Sequence, residues 1–196
     1  MANNFRQYTL LTLLAMICVA FARFMPHPFN FTPVAAMALY GGAKGRNMIF
    51  SFALPLMVML ASDVALMTFV YSAEGSVPAY FISKTALGVY LSFTAITAIG
   101  LLLKSNASAT RIVAASLASS LLFYAVSNFF TWMGSPFYPQ NLSGLAACYA
   151  AGIPFYNNEF TGSFFLNQFA GDLFFSGLLF GAHALVSRKV GFTAKA

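Results

Sequence analysis

The chain has 196 residues, 60% of them hydrophobic and only 7% charged, with a mean hydropathy of +0.77. A soluble domain carries about a quarter charged residues, so the composition points to an integral membrane protein and excludes a soluble enzyme or binding module. The net charge of +6 does not signal nucleic acid, because the basic residues stand at the ends of apolar segments, where membrane topology uses them. At roughly 20 residues per crossing, the length allows about five to seven helices in a single transmembrane domain, 1–196.

A short polar lead with Arg6 is followed by an apolar run from Tyr8 to Ala22, the first expected helix, with Arg23 snorkelling to the interface. A basic start and Ala20-Phe21-Ala22 also resemble a cleavable signal peptide, but the membrane segments that follow favour retention. Next comes a stretch with Pro26, Pro28 and Pro33, which remove amide donors and turn the preceding residues away from helix. An extended peptide is expected there. At membrane depth such backbone survives only where protein buries it or where it lines a wet cavity.

Phe31 to Ala43 is apolar but short for a crossing, and Gly41-Gly42, Lys44 and Arg46 end it. Asn47 to Val70 is a long third helix interrupted by Pro55 and Ser62-Asp63. A loop with Glu74 leads to a fourth helix from Pro78 to Leu103 that buries Lys84, and a fifth runs from Ile112 to Met133. The long connection Gly134 to Gly162 holds an apolar piece, Leu142 to Ile153, too short to span and expected as a re-entrant or interfacial helix. Ser163 to Ser187 is the sixth helix, carrying Asn167, Asp172 and His183.

Charge supports this all-α bundle of six transmembrane helices. With both termini cytoplasmic, Arg6, Lys44, Arg46, Lys104, Arg111, Arg188, Lys189 and Lys195 fall inside, while the outer loops hold Glu74 and Glu159 and no lysine.

Charged groups within a bilayer cost several kcal/mol and usually face a bundle interior or a cavity. Asp63, Lys84 and Asp172 all fall in the outer half by helical rise, together with Asn128 and Asn167, and Arg23, His27 and Asn30 approach from the proline stretch. With Tyr71, Tyr80, Tyr90 and Trp132 nearby, this layer describes an outward-facing pocket for a small polar molecule with a ring. Asp63 with Lys84 reads equally as a buried ion pair that fixes helix register. His27 taken alone, and His183 near the inner end, read as structural. No nucleophile elbow, zinc-protease motif, phosphate loop or Cys/His cluster is present, and no cofactor or metal is implied. Cys18 and Cys148 read as small packing residues.

The stretch His27 to Ala43, the Pro55 to Asp63 segment, Tyr138-Pro139, Gly144-Leu145, Ile153-Pro154-Phe155 and Gly171-Asp172-Leu173 through Gly181 resemble a family of uncharacterised bacterial inner-membrane proteins. That family is similar in turn to the S components of energy-coupling-factor vitamin transporters. The resemblance implies a six-helix protein that binds a vitamin-like micronutrient from outside and associates with a T component carrying two ATPases. It also implies that Arg23 to Thr32 and Gly134 to Gly162 act as lids. The alanines four apart that S components sharing a T component show on helix one have Cys18 and Ala22 as their nearest counterpart here. Cobalamin, which some S-like proteins bind without such a module, is one candidate ligand among several. A membrane-embedded enzyme, with Asp172 and His27 as acid and base, and a scaffold subunit are the alternatives from other classes.

Overall fold

The computed structural model describes residues 2–28, 30–45, 47–71, 76–103, 107–153 and 163–189, and its regular elements are all helical. They are α1 (Ala2–Ala20), α2 (Val34–Lys44), α3 (Met48–Phe69), α4 (Val77–Phe81), α5 (Lys84–Leu102), α6 (Ala109–Gly134), α7 (Leu142–Ala151) and α8 (Phe164–Lys189), with a 3-10 turn at Phe21–Phe24 after α1. Among the described residues, α3, α5, α6 and α8 are long and apolar enough to cross a membrane. The apolar part of α1 with its turn, Thr12–Phe24, and α7 are shorter. The charges at Arg46, Glu74, Lys104, Glu159 and Lys195, and residues 154–162 of the expected second lid, lie outside the described residues.

The proline stretch is extended as its sequence requires. From Met25 to Pro33 no helix forms in the described residues; Met25 has ψ of 149° and Asn30 turns the chain at φ of 62°, a left-handed conformation that asparagine tolerates. This strap leads into α2, in which every residue from Val34 to Gly42 is buried. A helix apolar all round has no solvent or lipid face and belongs in a core. Its 11 residues rise only about 16 Å, half of a bilayer's hydrocarbon thickness, and the strap continues it to the surface.

Close contact between backbones fixes α2 in place. A Cβ on Gly42 would stand 2.2 Å from the Thr97 carbonyl oxygen, and one on Gly100 would stand 2.3 Å from the Leu39 carbonyl oxygen. Only glycine at both positions lets α2 and α5 cross at this distance. On the other side, Tyr40 is fully buried and its hydroxyl lies 2.7 Å from His183 Nδ1, tying α2 to α8. His183 is therefore a packing histidine with a polar partner.

The fourth helix expected from Pro78 to Leu103 is divided. Ser83 is extended, with ψ of 147°, and its hydroxyl accepts from the Ala86 amide, so it caps a new helix that starts at Lys84. Pro78 does occupy the first turn of the short α4 before it. As a consequence Lys84 is exposed, not buried, and its Nζ donates to the Met133 carbonyl oxygen at 3.0 Å. A cation at the α6 C-terminus complements the free carbonyls and negative dipole there. Lys84→Met should lower stability by less than about 1 kcal/mol, measured as thermal unfolding in detergent.

Candidate binding site

Asp63, on α3, is 5% exposed and forms an ion pair with Arg23 Nη2 at 2.6 Å. Tyr90 of α5 donates to its other oxygen at 2.9 Å, and Arg23 also bonds Ser62. The expected Asp63–Lys84 pair is therefore replaced by Arg23–Asp63. The partner comes from the 3-10 turn after α1, whose last-turn arginine reaches across to α3. Burial, reinforced by the Asp63 carboxylate, pushes the Tyr80 hydroxyl on short α4 up to about 12, so it remains a hydrogen-bond donor.

Two adjoining cavities lie between the strap, α6, α7 and α8. The larger, about 270 Å³, takes hydrogen-bonding groups from Asn30, Ser127, Asn128, Thr131 and Gln168 and ring walls from Phe123, Tyr124, Tyr138 and Phe165. Asn30 and Ala151, both on its lining, are exposed, which places this cavity at the surface of the loop-rich end. The smaller, about 40 Å³, shares Asn30, Phe123 and Gln168 with it and reaches Asp172.

Local packing sets these groups. Along α6, Tyr124, Ser127, Asn128 and Thr131 recur at helical spacing on one face. Asn128 Nδ2 donates to the Tyr124 carbonyl oxygen at 2.9 Å, which holds the amide against the helix. The Tyr124 hydroxyl bonds the Tyr149 carbonyl and Tyr149 Oη donates to the Ala125 carbonyl at 2.6 Å, so α7 is clamped to α6. Gly171 of α8 admits the strap: a Cβ there would meet Phe31 Cα at 3.1 Å and Thr32 N at 3.2 Å. Non-helical backbone is thus packed against α8 at the edge of the cavity.

Asp172 is 3% exposed. Ser120 Oγ donates to its Oδ2 at 2.7 Å, and the Gln168 side chain also hydrogen-bonds it. The buried face of α8 carries Gln168, Asp172, Ser176 and His183 in one stripe facing α2 and α6.

Of the expected site residues, the structure brings together Asn30, Asn128 and Asp172. Asp63 and Lys84 line neither cavity. Asn167 is half-exposed and points away from the Gln168 face, one residue being a turn of about 100° on a helix. His27 is exposed, with Nδ1 2.9 Å from the Pro28 carbonyl oxygen, and does not join Asp172 as an acid-base pair. Gln168, Tyr124, Ser127, Thr131 and Tyr138 escaped the sequence reading, although the helical spacing of polar groups on α6 carries a signal for them. Cys148, read as a small packing residue, lies on α7, where it is buried and lines the cavity. Among the described residues no three of His, Cys, Asp and Glu cluster as metal ligands.

Neither the curated proteins nor the solved structures yield a match to this chain. A family of unknown function, DUF6580, matches residues 3–194. With nearly its whole length covered, the chain belongs to the DUF6580 family.

Proposed function

We propose that this protein captures a small, ring-bearing polar molecule in the cavity between the strap and α6–α8 and helps to carry it across the bacterial inner membrane, in the manner of an S component. The observation that supports this is the cavity lining itself: amide and hydroxyl groups between aromatic walls, beneath backbone that is not helical. Rings supply contact area and a few fixed polar groups supply orientation. The volume of about 270 Å³ suits one or two rings.

On this reading the chain passes the membrane six times, with α2 and the strap together making the second crossing. Both termini are cytoplasmic. Lys44 and Arg111, at the end opposite the cavity, agree with that orientation. The strap, with Arg23 anchored on Asp63, is the lid. A T component with two ATPases is the partner that would supply energy; an enzyme finds less support, since His27 and Asp172 are apart.

Native mass spectrometry of the protein purified in mild detergent from its own host tests the proposal. A retained small molecule is expected, because nanomolar affinity corresponds to about 12 kcal/mol and outlasts purification. It should be lost in Asn128→Leu and Gln168→Leu, which remove cavity amides, and kept in Lys84→Met. Retention unchanged in the two amide variants would sink this site.

A further inference from the structure

The charge of the captured molecule follows from the surroundings of Asp172, given the capture reading above. Every described group that faces this carboxyl is neutral: Ser120 and Phe123 from α6, Phe93 from α5, Ala35 from α2, Asn30 and Thr32 from the strap, and Gln168 on α8 itself. The nearest described cation in sequence order on the strap side, Arg23, is committed to Asp63. An ionised carboxylate buried among neutral groups is unfavourable by several kcal/mol, so the site holds a proton or a positive ligand group.

Geometry offers room for the second. The 40 Å³ chamber at Asp172 is about the share of one water in liquid, the size of an ammonium or of the edge of an amidinium. It adjoins the larger cavity through Asn30, Phe123 and Gln168, so a ring in the larger space can extend a cationic group to the carboxyl. Phe123, Tyr124 and Phe165 supply aromatic rings to the lining, and an aromatic wall favours a cation over a neutral isostere.

We propose that the site takes small organic cations in exchange for the Asp172 proton. The carboxyl O–H bond breaks, the proton leaves to solvent, and the carboxylate pairs with the cationic group, so net charge in the pocket is unchanged. Nothing is oxidised or reduced. Because the cation competes with a proton, affinity rises with pH while the empty site is protonated and levels off once it ionises unaided.

The test uses full-length protein in detergent with two matched pairs of probes, benzamidine against benzamide and 1-methylnicotinamide against nicotinamide. Titration calorimetry in buffers of different ionisation enthalpy should show the cations binding with release of about one proton, and affinity rising about tenfold per pH unit in the acidic range. Asp172→Asn should weaken cation binding at least about tenfold and abolish proton release. Infrared spectra of ligand-free protein in the acidic range, where affinity rises with pH, should contain a protonated carboxyl band that Asp172→Asn removes. A missing band overturns the exchange whatever binds. Neutral probes that bind as tightly as their cations, without proton release, overturn it too while leaving capture intact; silence of both members of both pairs counts against capture itself, and the exchange falls with it.

Discussion

Gly100→Val is expected to abolish recovery of folded protein, and Gly42→Val to do the same. The added Cβ would lie 2.3 Å from the Leu39 carbonyl oxygen in one case and 2.2 Å from the Thr97 carbonyl oxygen in the other. These obstacles are backbone atoms, which cannot swing aside as a side-chain tip would. Separating α2 from α5 by the necessary ångström or more breaks the packing of a helix that is buried on all sides, a loss well above the 1–3 kcal/mol typical of overpacking. Size-exclusion profiles and thermal unfolding in detergent give the readout. Gly177→Ala and Gly181→Ala are the controls, since nothing lies within 4 Å of a Cβ at either. They should be neutral or gain up to about 1 kcal/mol from helix propensity. Equal loss in controls and test variants would mean that α8 resents any change, and the glycine crossing would lose its special place.

Asp63→Asn should destabilise by about 3–5 kcal/mol, because it strands a guanidinium that is only 15% exposed. The loss should be largely repaired by Arg23→Met, which removes the stranded charge, and not by Lys84→Met. A double-mutant cycle on thermal unfolding measures the coupling. Rescue by the Lys84 change in place of the Arg23 change would show that the ion pair is not the one described here. Because Arg23 holds the base of the strap, the same single variant should also loosen the strap, seen as faster hydrogen exchange at Phe31 and Thr32, whose amides bond the Pro28 and Asn30 carbonyls at 3.0 Å each.

What could be read from the residues divides along physical lines. Hydropathy, proline and charge act locally, so the long helices, the extended strap, the short α2 and the apolar piece at Leu142 were legible. Helical rise gives each residue an expected depth, but azimuth was not legible. Two residues at equal depth meet only if their helices turn the right faces to each other, and that depends on packing far along the chain. Hence Arg23, not Lys84, reaches Asp63, and Gln168, not its neighbour Asn167, faces the cavity. The break before α5 was hidden for another reason: a serine in an apolar run reads as a tolerated helix residue, and only the bond from Ala86 reveals it as a cap.

The polar stripe of α8 also bears on how the protein is made. Gln168, Asp172, Ser176 and His183 all lie on one side of a helix that is the least apolar of the four long ones. Entering lipid alone, α8 would carry those groups without partners, at several kcal/mol for the carboxyl and the amide. It leaves the ribosome after α2 and α6, which hold Tyr40, Ser116 and Ser120, the groups that receive it. Insertion of α8 is thus expected to be a docking event onto the helices made before it, and a chain that has lost α2 should fail at biogenesis, with α8 stalled outside the bilayer.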